Sequence, residues 1–158
     1  MNIREYNSDD SKAVYELFFN TVHSVNAADY TEIQLDAWAP KEMDLNIWNN
    51  RLLRNNYAVV PELNGVIVGI GTADDIGYFD ILYVHKDYQR MGIASLIAND
   101  IEKYLCRKGV KTITTNASIT ARPFFEKRRY HVQEKQNVEC RGQFLTIFRM
   151  IKQSDIGD

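Results

Sequence analysis

The segment from Tyr78 to Ser95, YFDILYVHKDYQRMGIAS, holds the residues best suited to chemistry. A hydrophobic strand pattern ends at Val84, a polar loop follows, and Gln89-Arg90-Met91-Gly92-Ile93-Ala94 opens a helical pattern. A turn that feeds a helix leaves several backbone N–H groups unpaired at the positive end of the helix dipole, which suits a pyrophosphate. Gly92 removes the Cβ that would hold a phosphate off the backbone. Ala94 keeps the first turn slim, and Arg90 adds a charged donor. In the preceding strand, Asp80 is the only acid between Asp75 and Asp87. Strand alternation puts Tyr78, Asp80, Leu82 and Val84 on one face and Phe79, Ile81 and Tyr83 on the other. A carboxylate among apolar neighbours is partly desolvated and a stronger base. The same charge could instead hold a substrate ammonium.

Other chemistry is poorly supported. Gly69-Ile70-Gly71 opens like a dinucleotide fingerprint, but Asp74 stands at the third glycine position and a strand pattern follows. No G-x-x-x-x-G-K-S/T occurs. Cys106 and Cys140 are the only cysteines and lack zinc spacing, and His23, His85 and His131 share no ligand spacing. Cys140 as a thioester-forming nucleophile has no neighbouring histidine in the sequence to activate it.

The residues at 80–95 need a scaffold that ends one strand and starts one helix beside them. Tyr78–Val84, rich in aromatic and β-branched residues, predicts the strand. Ile93–Lys108 predicts the helix: Ile93, Ile97, Ile101 and Leu105 recur every four residues, Leu96 and Tyr104 widen the face, and Gly109 ends it. Upstream, a short strand over Asn2–Tyr6 precedes a helix with Val14, Leu17, Phe18, Val22 and Val25 on its buried face, introduced by Ser8-Asp9-Asp10. After a break at 26–30, Thr31 caps a short helix carrying Ile33, Leu35 and Trp38, which Pro40 ends. A third helix spans about Asp44 to Asn55 with Leu45, Trp48, Leu52 and Leu53. Tyr30, Trp38 and Trp48 are expected in the core. Tyr57–Leu63 and Val66–Thr72 flank Asn64-Gly65, a hairpin turn with both central residues at positive φ. Thr112–Asn116 predicts a strand, Thr120–Arg128 a helix, and His131–Cys140 with Gln143–Lys152 a hairpin turning at Arg141-Gly142. A polar tail follows from Gln153 to Asp158. The pattern is an α/β or α+β sheet with helices on its faces.

The chain has 158 residues, 45% hydrophobic and 25% charged, with a net charge of −2. This suits one domain with a real core and argues against disorder or a coiled coil. The near-neutral balance offers no global field for nucleic acid or an anionic membrane. Lys103, Arg107, Lys108 and Lys111 form a basic cluster that is most simply a solvated helix end. The start MNIREYNSDD is not a signal peptide, and no apolar run is long enough to span a bilayer. A reduced, cytoplasmic setting is the expectation.

Gln89–Ala94, with the strand before it and the helix after it, resembles the Q/R-x-x-G-x-G/A motif of the GNAT N-acetyltransferase superfamily. Ala121 to Tyr130, ARPFFEKRRY, is similar to that family's second signature, A-x-x-F-Y-E-K-x-G-F. The likeness covers nearly the whole chain and is strongest to small bacterial members. It implies a GNAT-like, mixed and mainly antiparallel sheet with helices on both faces, as one domain over 1–152. It implies acetyl-CoA as cosubstrate and direct transfer to a primary amine of a small molecule or peptide. A non-catalytic CoA-binding sensor or binding protein on the same fold is the alternative, and a homodimer stays open.

The resemblance also assigns residues. The strand before the phosphate loop splays from its neighbour in this family, so Leu82, Tyr83 and Val84 would bind pantetheine. Gln89, Arg90, Met91, Gly92, Ile93, Ala94 and Ser95 would form the phosphate loop, with the phosphate contacts falling on Arg90 to Ser95. Ser118 stands where relatives often carry a cofactor-binding Asn, and Ala121, Phe124 and Phe125 belong to the second signature. An acid from the strand often serves as base, which falls on Asp80. The usual general acid is a Tyr where this chain has Phe125, so Ser118, water or a residue the resemblance does not place would protonate the thiolate. Arg129 replaces the usual Gly and suggests a differently shaped turn. The connection Val22–Tyr30 and the hairpin around Cys140–Gln143 would wall the acceptor site.

Overall fold

The computed structural model describes residues 1–154. Its sheet is built from β1 (Asn2–Glu5), β2 (Tyr57–Leu63), β3 (Val66–Ile67), β4 (Gly69–Ala73), β5 (Tyr78–Val84), β6 (Thr112–Ser118), β7 (His131–Cys140) and β8 (Gln143–Gln153). The order is β1-β2-β4-β5-β6-β8-β7, with β3 pairing β2. Every pairing is antiparallel except β5 with β6. The expected mixed sheet is therefore present, and both turns read from the sequence, Asn64-Gly65 and Arg141-Gly142, have positive φ at both central residues.

Helices α1 (Ser11–Ser24), α2 (Glu32–Trp38) and α3 (Leu45–Leu53) cover one face. There Val14, Phe18, Trp48 and Leu52 pack with Ile70 and Ile81. Helices α4 (Ile93–Arg107) and α5 (Arg122–Lys127) cover the other, where Ile97, Ile101 and Leu105 pack with Phe79, Phe125 and Met150. Thr31 caps α2, as its sequence predicts, and the structure adds a reciprocal bond from Gln34. Asp44 caps α3. The apolar periods are read correctly except at their rims: Ile33 is 64% and Leu53 50% exposed. Helices of seven and nine residues present only a narrow stripe to the sheet.

The stretch 66–72 is not one strand. It breaks at Val68, whose N–H donates to Pro61 O. Pro61 has no N–H with which to return that bond, so the ladder shifts register there. Gly69 and Gly71 serve close packing, not a nucleotide. A Cβ on Gly71 would lie 2.2 Å from Ile97 Cγ2, so α4 can approach the sheet only because this position is bare.

The ends also differ from expectation. Gln153 is the last residue of β8, paired with Thr112, and the Ser154 N–H donates to Lys111 O. The rest of the predicted tail lies outside the described residues. After α5, Arg129 has φ 70°. The turn thus keeps the left-handed conformation that glycine favours, contrary to the expected change of shape, and Arg129 bears the strain. Arg129→Gly is expected to raise stability by about 1 kcal/mol, measured as an increase in the urea midpoint at unchanged m-value. A lower midpoint would show that the Arg129 side chain contributes more than its backbone costs.

Candidate active site

The two parallel strands part soon after they meet. β5 and β6 pair only at Tyr78–Thr114 and Phe79–Thr115, where Thr115 Oγ1 also donates to Phe79 O at 2.8 Å. Beyond that point β5 runs on to Val84 beside β4, and β6 runs on to Ser118 beside β8. A wedge opens between them. It leads into a cavity of about 540 Å³ lined by Leu82 and Tyr83 on one side and Asn116, Ala117 and Ser118 on the other. Aromatic side chains from α1 to α3 close it, among them Tyr30, Trp38 and Trp48. Tyr30 and Trp48 are 8% and 6% exposed, so these aromatics are core and cavity wall at once.

The β5 backbone sorts its groups by alternation. The His85 N–H donates to Val68 O. In an antiparallel ladder every second residue faces the same neighbour, so Tyr83 also turns its backbone toward β4, while Leu82 and Val84 face the wedge. Val84 O is already taken by Thr21 Oγ1 at 2.9 Å and Gln89 Nε2 at 2.8 Å. Of the three residues assigned to pantetheine, Leu82 thus offers both backbone groups, Val84 its N–H, and Tyr83 its ring. Burial pushes the Tyr83 phenol upward, partly opposed by its hydrogen bond with Trp38. It stays protonated at neutral pH.

At the mouth of the wedge, the loop from β5 reaches α4 through Arg90 at φ 62° and Gly92 at φ 79°. The first helical bond runs from Leu96 N–H to Gly92 O. The N–H groups of Ile93, Ala94 and Ser95 precede it and have no helical acceptor. Nothing lies within 4 Å of where a Cβ on Gly92 would stand. Arg90, Met91 and Ser95 are exposed, and the Ile93 side chain is buried, so Ile93 contributes backbone alone. Gln89 is spent on holding the loop to Val84.

Asp80 does not sit as alternation predicts. The β4–β5 register shifts between Thr72 and Ala73, which pair with Ile81 and Phe79, leaving Asp80 unpaired as a bulge. Phe79 therefore joins Leu82 and Val84 on the α4 side, while Ile81 and Tyr83 face α1 to α3. The bulge delivers Asp80 to the cavity, and its surroundings are not apolar. Arg51 of α3 forms a bidentate ion pair with it through Nη1–Oδ2 and, at 2.8 Å, Nη2–Oδ1. Asn55 Nδ2 donates to Oδ2 at 2.9 Å and to Thr72 Oγ1 at 3.1 Å. Burial, the largest influence, would lower the Arg51 guanidinium, but the bond to Asp80 and the charge of Asp80 together overcome it and leave Arg51 above its ordinary value. Beside the pair, burial and then Asp80 raise the Tyr78 phenol.

The second signature closes the far side. Ser118 Oγ accepts the Ala121 N–H at 3.0 Å, which leaves its own hydroxyl hydrogen available. Ser118, Ala121 and Phe125 line the cavity; Phe124 does not, and packs below. Phe125 is 3% exposed among Phe79, Phe124 and Tyr130. Tyr30 ties this region to the last hairpin, donating to Thr146 O at 2.7 Å and accepting the Ile119 N–H at 2.9 Å. The hairpin adds Cys140 and Arg141 to the lining, and Cys140 Sγ donates to Ala37 O. No cluster of metal-binding side chains occurs among the described residues, and no helix among them is long and apolar enough to cross a membrane. Sequence reasoning missed Arg51 and Asn55. They lie four residues apart on and just after α3, a spacing that puts both on one side of a helix and was the available signal.

A mixed sheet split between two parallel strands, with a bare helix N-terminus at the mouth of the split, defines an acyltransferase scaffold. A family model described as acetyltransferase (GNAT) domain matches residues 26–153. The chain is 31% identical over 150 residues to the uncharacterized N-acetyltransferase YafP of Escherichia coli (strain K12), covering 95% of this chain and 94% of that one. Among solved structures, a GCN5-related N-acetyltransferase from Rhodopseudomonas palustris superposes with TM-score 0.93 at 29% identity, covering 96% of this chain and 94% of that one. The PaiA N-acetyltransferase from Thermoplasma acidophilum, solved with coenzyme A, shares the fold at TM-score 0.77 and 15% identity, covering 96% and 98%. This chain belongs to the GNAT acetyltransferase family and is an acyltransferase.

Proposed function

We propose that residues 1–152 act as one domain that transfers the acetyl group of acetyl-CoA to a primary amine by direct attack. The observation that carries this reading is the wedge between β5 and β6 with the unpaired N–H groups of Ile93, Ala94 and Ser95 at its mouth. The residues suit the cosubstrate: donors without partners for a pyrophosphate, and outward backbone groups at Leu82 for an amide-bearing arm. Bound acetyl-CoA supplies an activated acyl carbon; the chain supplies position, an aromatic enclosure and proton management. A primary amine with an ordinary pKa near ~10.4 must lose a proton before it attacks. That proton passes to solvent; the departing sulfur must gain one, and the Ser118 hydroxyl, which regains its proton from solvent, is the relay we assign.

Thiol release from acetyl-CoA across a panel of amines tests this. Release that depends on both protein and amine supports transfer. Tight CoA binding with no release on any amine favours the sensor reading, for which Phe125 in place of an acid is the specific argument. Phe125→Tyr is expected to fold normally and to raise kcat at unchanged KM for acetyl-CoA, because it returns a hydroxyl to the cavity wall. A sharp fall in kcat with CoA binding intact would show that another donor is already optimised there.

A further inference from the structure

We infer that Arg51 is the receptor for a carboxylate on the acceptor, held in place by Asp80, so that the acceptor is a small amine bearing both a carboxylate and a flat apolar body. This rests on the acetyl-transfer reading and names the substrate class of the same site. A guanidinium carries five N–H donors in one plane. Asp80 takes one from each Nη, end-on. The Nε–H and the remaining Nη hydrogens have no protein partner among the described residues, and Arg51 lines the cavity. Its side chain is 32% exposed while that of Asp80 is 7% exposed. The acid is therefore the buried anchor and the guanidinium the presented surface. A second carboxylate can dock on the free edge of the fork without displacing the first.

The charge around the cavity agrees. Among the described residues Asp80 is its only acid, and both oxygens are engaged. Arg51 and Arg141 outnumber it by one. No carboxylate among the described lining residues is left to hold an ammonium, which disfavours polycationic acceptors and favours an amine that brings its own negative charge. The apolar body is set by the walls. Trp38 meets Tyr30 edge-on at 5.2 Å and Tyr83 at 6.3 Å, an aromatic corner that accepts another ring.

The test uses matched probes on the intact chain. Calorimetry compares 3-phenylpropionate with 3-phenylpropanamide, which differ at the carboxylate alone. The acid is expected to bind at least about tenfold more tightly, the scale of a charge-assisted pair. Arg51→Gln should erase that preference and Arg51→Lys restore part of it, with CoA affinity unchanged in both as the check on folding. If Arg51→Gln fails to fold, the double variant Arg51→Gln with Asp80→Asn removes the unpaired acid and carries the same expectation. In transfer, L-phenylalanine should exceed phenethylamine in kcat/KM by a similar factor. Equal binding of acid and amide, binding of neither, or a preference for phenethylamine or spermidine overturns the inference. Thiol release without carboxylate preference would leave acetyl transfer standing and sink this assignment; carboxylate preference without release would do the reverse.

Discussion

Gly92→Val is expected to cost at least about a hundredfold in CoA affinity by calorimetry, in a chain that still folds. Two effects combine. Gly92 caps α4 at φ 79°, a conformation that costs an L-residue about 1–2 kcal/mol and a β-branched one more. The turn will relax away from it and misalign the N–H groups of Ile93 to Ser95. In addition, a Cβ here meets no protein atom within 4 Å, so the new side chain projects into the space before the helix N-terminus. Gly92→Asn and Gly92→Ala separate the effects, because Asn tolerates the left-handed region and Ala adds strain with little bulk. The expected order of affinity is Gly, Asn, Ala, Val. Unchanged affinity in a folded Gly92→Val chain would remove this turn from the cofactor site.

Asp80→Asn is expected to lower kcat/KM for the acceptor by roughly a hundredfold, chiefly through KM, with the acid limb of the pH profile in its wild-type position. The carboxylate is saturated by Arg51 and Asn55, so it is better placed to hold the guanidinium than to take a proton. Removing its charge frees Arg51 to swing and leaves the cavity more positive. It also breaks a partly buried pair, so the melting temperature should fall. Destabilisation from losing one partner of a fully buried pair runs to about 3–5 kcal/mol, and the exposure of Arg51 brings the expectation well below that. A large loss of kcat with a shifted acid limb would instead establish Asp80 as the base, one of the two roles its sequence position allows. Wild-type kinetics at every pH would exclude it from both roles.

What the sequence discloses here is mostly local. The period of α4, the cap at Thr31, and the two hairpin turns each depend on residues within a few positions of one another, and all were legible. The turn into α4 was legible for the same reason, since its glycine, small residue and helix start are contiguous. The surroundings of Asp80 were not, because they depend on a bulge and on a helix 29 residues upstream. Strict alternation put Phe79 on the wrong face, and one unpaired residue was enough to do so. Tyr30, Trp38 and Trp48 were read as core because composition cannot distinguish a side chain facing other side chains from one facing a void. Arg129 looked like a change of turn, yet backbone hydrogen bonds from Arg129 and Tyr130 to Glu126 and Phe125 hold the left-handed shape despite the side chain.

The short pairing of β5 with β6 bears on how the molecule holds together. Two residue pairs, one threonine hydroxyl and a side-chain bond from Asn116 to Tyr78 join the sheet of β1 to β5 to the sheet of β6 to β8. Beyond that short seam the halves are held by packing of α4 and α5, by the Tyr30 strut, and by side-chain ties such as Gln34 to Phe144 O, Arg141 to Ala37 O and Lys152 to Glu102. A ligand arm threaded into the gap would act as a surrogate strand, supplying the rungs the chain itself omits. Cofactor binding and cohesion of the two half-sheets then become one equilibrium, in which each increment of occupancy is also an increment of resistance to local opening. Amide exchange at Leu82 and Asn116, on either lip of the seam, would report the two together.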